Sequence, residues 1–596
     1  MNIEASIPKN ADKKELEDWV AGDCHGLNFF DIDQSLQDLL GLYLPQDLRK
    51  HMTPIYQRLG DIAGNRLDDL ARMCDRHPPV LHARDARGRN EDWIEFHPAY
   101  REMEQLGYGE FGIHAMSHKP GVFDWPEKIP PMAKYIFQYL FTQSEFGLMC
   151  PISVTDTSAM LLERYGPENA KEKYLDLMLS QDMENSYKGA QFMTEKIGGS
   201  EVANFAVTAK QEDGEWKLYG DKWFCSCADA DVCLVLARPE GAPDGNSGLA
   251  IFAVPRQLDD GRRNNYRIVR LKDKMGTKSM ASGEIVFDGA LGYAFGDVGA
   301  KPNPGLKQMM DQVSMSRLSH GVRAAGMMRR CLNEALVAAK TRDVFGEAII
   351  HKPLLRRQLL KLMVPTEQVL SMVMHVANVL HKADNGDDGA KQLNRILTPL
   401  LKFRACRDNV TVATGSLEVR GGNGFIEDWV NSRLVRDAHT GLLWEGTSNI
   451  NALDITTRAV AKIGAHETLA DDLKGRIESA DGLPGQYGGE LVGLIDRATS
   501  FAEEIAKSGN ETQARQASDA LYHVTTATLL ALEGAALGNA GGDARRLLLS
   551  RLVVDTRLRS HDPLSVGDGA FEIEAGNRLL RDDPVSLADV TDLLTL

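Results

Sequence analysis

The stretch Met193-Thr194-Glu195-Lys196-Ile197-Gly198-Gly199-Ser200 stands where the texture of this chain changes. Before it, apolar residues recur at helical spacing over 48–73, 132–148 and 157–179, with a turn-rich interruption at Arg84-Asp85-Ala86-Arg87-Gly88. After it come short β-rich runs at 206–209, 216–219, 222–226, 232–237, 249–254, 266–271 and 283–287. Glu212-Asp213-Gly214 and Gly220-Asp221 read as turns between the first three, so the middle of the chain is expected to be a compact antiparallel β domain. The junction itself ends in Gly-Gly-Ser, a turn whose amides and hydroxyl can approach a phosphate closely because glycine has no side chain to hold it off.

Farther on the helical period returns. Asn303-Pro304 supplies an N-cap and a first-turn proline for a long helix to about residue 342. A second runs from near 353 to Asn385-Gly386, and a third covers 391–419 before the Gly-rich Arg420-Gly421-Gly422-Asn423-Gly424, so a helical bundle is expected. Asp481-Gly482-Leu483-Pro484-Gly485 reads as a linker, with amphipathic helices after it near 490–506, 512–537 and 544–558. The expected fold class is α+β, mainly α: an N-terminal helical domain (1–188), a middle β domain (189–300), a helical bundle (301–465) and an appended helical domain (466–596).

The length of 596 residues suits several such units. A formal net charge of -16 disfavours a polyanion as main partner, since phosphate binding needs a positive surface. The cysteines are few and mostly isolated, which reads as cytosolic thiols rather than a disulfide frame. Cys225-Ser226-Cys227 fits an alternating strand better than half of a zinc site, so no metal is expected. The N-terminus lacks the basic and apolar regions of a signal peptide, and a cytoplasmic location is expected. The most apolar early segment, 135–151, is interrupted by Gln138, Gln143, Ser144 and Glu145, which argues for a buried helix over a membrane span.

A second stretch carries the chemistry: Leu443-Trp444-Glu445-Gly446-Thr447-Ser448-Asn449-Ile450. A carboxylate among apolar and aromatic neighbours loses hydration when ionised, so its pKa rises toward the range where it exchanges a proton near neutral pH. Glu445 is therefore a candidate general base, although a Glu before Gly-Thr-Ser also suits a capping carboxylate.

Taken together and in order, Met193–Ser200, Lys222-Trp223-Phe224-Cys225-Ser226, Arg342-Asp343-Val344-Phe345-Gly346, Gly421-Gly422-Asn423-Gly424-Phe425 and Trp444-Glu445-Gly446-Thr447 resemble the motifs of the acyl-CoA dehydrogenase family. The resemblance runs from about the first helices to Val460 and implies a helical domain, a β domain and a four-helix bundle. The chain looks most like the AidB-type flavoproteins of that family. Lys196 stands where most members have Pro, and Phe224-Cys225-Ser226 replaces Trp-Ile-Thr. Val344-Phe345-Gly346 leading to Pro353, and Ala86-Arg87-Gly88-Arg89 followed by Phe96-His97-Pro98-Ala99, point the same way. The segment after Thr468 resembles the extra helical domain of larger members, for which a part in assembly is expected.

The resemblance implies FAD as cofactor. Met193 and Thr194 would contact the pyrimidine side of the flavin and Ser200 its pyrophosphate, with Gly199 also among the cofactor-binding residues. Phe224 would lie over the isoalloxazine, and Ser226 would stand for the Thr that bonds near flavin N5. Arg342 and Phe345 would reach the FAD of a neighbouring subunit, with Glu418, Gly421 and Gly422 completing that site; Glu418 replaces the more usual Gln. Thr447 and Asn449 would hold the FAD diphosphate. A shared cofactor implies a homo-oligomer, dimer or tetramer. Ser200, Gly446 and Arg317 would meet the substrate, while Arg317 equally suits a bundle salt bridge.

The implied reaction is α,β-dehydrogenation of an acyl-CoA to the trans-2-enoyl-CoA, with Glu445 taking the α-proton and flavin N5 the β-hydride. Some relatives place their base on the bundle helix before an Arg; here that place, before Arg317, holds Ser316. The implied electron acceptor is an electron-transfer flavoprotein, with oxygen as the alternative. A rival reading is an AidB-like protein associated with DNA or the alkylation response. Against it, acidic residues outnumber basic ones after Thr468, and Asp543, Asp555 and Asp562 dilute Arg545, Arg546, Arg551, Arg557 and Arg559. The basic run from Arg262-Arg263 to Lys278 is expected to border a loop or to contact CoA phosphates.

Overall fold

The computed structural model describes residues 20–560, 562, 564 and 569–595. The first part packs α1 (Gln34–Tyr43), α2 (Gln46–Gly64) and α3 (Arg66–Arg76) against later helices. The single period expected over 48–73 is broken at Asn65, where the backbone leaves helical angles (φ -123°, ψ -97°). Gly64 precedes the break because a Cβ there would lie 1.6 Å from the Leu27 carbonyl. The turn at 85–88 closes a small antiparallel hairpin, β1 (Val80–Arg84) and β2 (Asn90–Glu95). Its strands escaped the periodicity reading because they are short and mostly half-buried or exposed. After α4 (Pro98–Glu104) come α5 (Pro131–Thr142), α6 (Met149–Tyr165) and α7 (Glu168–Met178), so the runs at 132–148 and 157–179 fall on three helices. Glu145 ends the turn between the first two by accepting from the Leu148 amide at 2.8 Å.

The β domain contains β3 (Gly189–Phe192), β4 (Thr208–Glu212), β5 (Glu215–Ser226), β6 (Val232–Pro239), β7 (Ala250–Pro255), β8 (Tyr266–Leu271) and β9 (Ser282–Ala294). Its pairings run β6-β4-β5-β9-β7 and return to β6, with β3 on β6 and β8 on β9. Three expectations are corrected. Gly220-Asp221 is not a turn: β5 continues through it, with Gly220 at φ 121° beside a register shift against β9, so the glycine marks a bulge. The run at 283–287 is only the start of β9, which continues past Gly289 (φ 82°). The sheet is not wholly antiparallel, since β3 and β4 both pair with β6 in parallel.

The bundle follows as α8 (Gly305–Thr341), the hairpin β10 (Asp343–Val344) and β11 (Glu347–Ala348), α9 (Pro353–Asp384) and α10 (Asp388–Arg420). Asn303 does not cap α8. Its side chain bonds Gly299 and Lys301 instead, and the helix starts at Gly305. Then α11 (Val430–Ala438) and α12 (Ser448–Asp454) cover the bundle end. The appended helices are α13 (Ala465–Glu478), α14 (Gly485–Ser508), α15 (Ala514–Asn539), α16 (Arg545–Val553), α17 (Ala570–Leu579) and α18 (Leu587–Leu594). Residues 481–485 are therefore a loop inside this helical unit rather than the link to it. A 29-residue segment containing α15 is long and apolar enough to span a membrane by composition, yet 78% of its apolar window is buried within the protein.

Buried ion pairs join the appended helices to the bundle. Arg546 on α16 reaches Glu367 on α9 and Glu533 on α15, both at 2.9 Å. Arg329 on α8 pairs with the same Glu367 (2.5 Å) and with Asp33 (3.2 Å). All eight cysteines are free and buried.

Candidate active site

The Gly-rich turn is fixed by an ion pair that the sequence did not single out. Glu195 accepts from the amides of Ala206 (2.6 Å) and Val207 (3.2 Å), and Lys222 donates to both Glu195 (2.8 Å) and the Met193 carbonyl (2.9 Å). Burial pushes the Lys222 ammonium down to about 8. The Trp223 amide donates to the Thr194 carbonyl at 2.8 Å, so Met193 and Thr194 are tied to the strand that carries Phe224 and Ser226, with Gly199 and Ser200 following in the same turn. At Gly199 a Cβ would stand 2.9 Å from the Thr194 hydroxyl, which would have to turn away. Phe224 is 55% exposed, with the Lys272 ammonium 4.9 Å from its ring centre. Ser226 faces Ser282 across the β5–β9 ladder.

Glu445 sits in the left-handed region (φ 55°) and Gly446 follows at φ 88°. A non-glycine residue holds that conformation only where its surroundings fix it. Here they do. Ser316 donates to Glu445 Oε1 at 2.9 Å, and Arg317 Nε donates to the Glu445 carbonyl at 3.2 Å. Arg317 Nη1 also bonds Asp454 (2.7 Å), which Arg395 holds from the other side at 2.6 Å. Arg317 thus makes a bundle salt bridge, and the same side chain reaches the Glu445 carbonyl. The Gly446 carbonyl accepts from Lys402 and from Asn451 Nδ2 (2.8 Å). Burial raises the Glu445 pKa, and the Ser316 hydroxyl, Arg317, Lys402 and Arg323 oppose that rise. The capping reading fails: α12 is preceded by Thr447 without a side-chain cap, and the Glu445 carboxylate faces α8 instead.

Ser316, His320 and Arg323 recur at i, i+4 and i+7 on one face of α8. His320 Nδ1 lies 2.8 Å from the Ser316 carbonyl, and its ring meets Trp444 edge-on at 5.7 Å. That spacing was legible in the sequence, but three polar residues at helical period on a bundle helix did not stand out among many.

Thr447 and Asn449 are exposed at the start of α12. The remaining predicted residues gather elsewhere. The Arg342 guanidinium lies against Gly421, 2.9 Å from where a Cβ would be, and Gly422 has open space around it. Glu418 is exposed one turn earlier, and its carbonyl takes the Gly421 amide. Phe345 and Gly346 form the two-residue turn of the β10–β11 hairpin, both at positive φ (57° and 83°), with Phe345 93% exposed. From Ser316 to Arg342 the chain advances 26 residues, nearly all along α8, or about 39 Å at 1.5 Å per residue.

The residues present fit an FAD. An exposed aromatic face at Phe224, a hydroxyl at Ser226 and a glycine turn that a Cβ would crowd are the surroundings a flavin and its phosphates require.

Three family models match the chain: Adaptive response protein AidB N-terminal domain over 21–185, Acyl-CoA dehydrogenase middle domain over 190–290, and Acyl-CoA dehydrogenase C-terminal domain over 303–460. The chain is 30% identical to Acyl-CoA dehydrogenase family member 11 of Caenorhabditis elegans, over 71% of this chain and 69% of that protein. It is 31% identical to the putative acyl-CoA dehydrogenase AidB of Escherichia coli, over 68% and 73% respectively. The fold matches the crystal structure of C. elegans ACDH-11 in complex with C11-CoA with a TM-score of 0.83 at 24% identity, covering 96% of this chain and 98% of that one. The chain belongs to the acyl-CoA dehydrogenase family, in its AidB-like subgroup, and is an FAD-dependent flavoprotein oxidoreductase.

Proposed function

We propose that the protein removes one hydrogen from each of the α- and β-carbons of an acyl-CoA thioester, giving the trans-2-enoyl-CoA. The observation that carries the reading is Glu445, a carboxylate raised in pKa by burial and aimed by Ser316. The thioester carbonyl acidifies the α-hydrogen, and the Glu445 amide donates to that carbonyl as negative charge develops on it. Glu445 then accepts the α-proton. Met193, Thr194, Gly199, Ser200, Phe224 and Ser226, with Thr447 and Asn449, would hold the FAD, which would supply the acceptor for the β-hydride. Arg317 fixes the Glu445 backbone, and Lys402 with Asn451 fixes that of Gly446, so the base is positioned before substrate arrives.

Arg342, Phe345, Glu418, Gly421 and Gly422 serve the cofactor of a second subunit. Their distance along α8 from Ser316 and the exposure of Phe345 support a homo-oligomer in which each bundle end completes a neighbour's site. An electron-transfer flavoprotein is the proposed oxidant of the reduced enzyme. The test is anaerobic mixing with a panel of short, long, branched, aromatic and sulfur-containing acyl-CoAs. At least one should bleach the flavin absorbance; no bleaching by any, from enzyme that dithionite still reduces, would overturn the proposal.

A further inference from the structure

Arg323 is 1% exposed, and no carboxylate of the described residues lies within ion-pair distance of it. Its Nη1 is buried with no nitrogen or oxygen acceptor, and the Cys150 thiol is a sulfur neighbour of the group. Nη2 meets the His320 ring (2.9 and 3.3 Å), and Nε reaches the Ser319 carbonyl at 3.4 Å. Around the group stand the Phe146 ring (5.4 Å) and the thiols of Cys150 and Cys406, at best weak acceptors. The other buried arginines of α8 differ: Arg317, Arg329 and Arg330 each hold a carboxylate.

The surroundings do not supply the missing charge. Glu445 feels Arg317, Lys402 and Arg323, and Asp454 is already shared by Arg317, Arg395 and, at 3.9 Å, Arg458, so five cations face two carboxylates. His320 adds no negative charge and is held neutral by burial. A desolvated guanidinium without a partner is costly and persists where a ligand completes it.

Its place says which ligand. Arg323 lies two turns beyond Ser316 on the same face of α8, about 10 Å along the axis, and helical side chains lean back toward the N-terminus, here toward Ser316 and the base. An acyl chain whose α-carbon lay at Glu445 and that ran along this face of α8 would reach the guanidinium after a few more carbons. We propose that Arg323 determines substrate specificity by binding a carboxylate at the far end of a short acyl chain, so that the preferred substrate is the CoA thioester of a dicarboxylic acid. The inference rests on the dehydrogenase reading above and names its substrate class.

The test uses FAD-loaded enzyme and pairs of equal length: glutaryl-CoA against pentanoyl-CoA, and adipoyl-CoA against hexanoyl-CoA. Binding is followed by calorimetry and reaction by anaerobic bleaching. The carboxylate-ended member of at least one pair should bind about tenfold or more tightly and give the higher kcat/KM. In Arg323→Gln that advantage should fall to about threefold or less, mainly through KM, while Arg323→Lys recovers part of it. Because Arg323 is uncompensated in the free enzyme, Arg323→Gln should keep its flavin and melt no lower than the parent. A parent that prefers the methyl-ended thioesters overturns the substrate class and leaves the dehydrogenase reading standing. Failure of all four thioesters to bind overturns the inference, and failure across the wider panel overturns that reading as well. Unchanged discrimination in Arg323→Gln, or a variant that melts well below the parent, assigns Arg323 to the fold instead.

Discussion

At the scale of the residue, Glu445 is governed by two opposed effects. Burial lifts its pKa, while the Ser316 hydroxyl and three cations favour the carboxylate. The base must be ionised to take a proton, so the rate should rise with pH through this raised pKa and level off above it. Ser316→Ala removes the hydrogen bond that favours the ionised form, so the pKa rises further and the ascending limb moves to higher pH. We expect a several-fold loss of kcat at neutral pH that shrinks at higher pH, read from the pH profile of anaerobic flavin reduction. An unshifted limb would show that Ser316 does not tune the base. The sequence presented Ser316 only as the absence of a competing base. Its role as donor depends on α8 crossing residues 129 positions away, which no local pattern records.

At the scale of the element, long helices and the β-rich runs were readable because periodicity over many residues outweighs local exceptions. Errors fell where a glycine has two possible meanings. Gly220 served a bulge instead of a turn, and the parallel partners of β6 depend on long-range pairing that composition does not encode. Gly421 shows the reverse, a glycine whose need is structural and identifiable. At φ 73° and ψ -145°, with Arg342 against it, Gly421→Ala would strain the backbone by about 1–3 kcal/mol and displace the guanidinium. If that end of α10 holds a second subunit's FAD, the variant should release flavin more readily, seen as a rise in free-flavin fluorescence on dilution. Equal retention would remove Arg342 and Gly421 from the cofactor site.

At the scale of the molecule, charge decides between the two readings of the appended helices. Of the arginines that suggested a basic face, Arg545 pairs with Asp543, Arg551 with Asp555, and Arg559 with Glu490 and Asp555. Arg546 is buried. Arg557 alone of the five is exposed without an ion pair among the described residues, and with a net charge of -16, DNA at moderate salt should leave the protein unbound in a gel-shift or anisotropy titration. Salt-sensitive binding at micromolar protein would restore the DNA-associated reading. The same geometry makes these helices part of the bundle. Arg546→Met would leave Glu367 with Arg329 alone and Glu533 without its buried cation, a loss of about 3–5 kcal/mol. Denaturant unfolding should show one transition at lower midpoint, whereas early separate melting of the appended helices would make them an independent module. None of this was legible from composition, which could count the arginines but not say which of them turn inward.

The central claim is that Glu445 takes the α-proton, and Glu445→Gln tests it most directly because the amide keeps the shape and loses the base. The variant should purify yellow, with FAD content equal to the parent, and its anaerobic bleaching by the best acyl-CoA should slow by about 10²–10⁴-fold. Bleaching at the parental rate in a fully flavinated Glu445→Gln enzyme would contradict the account.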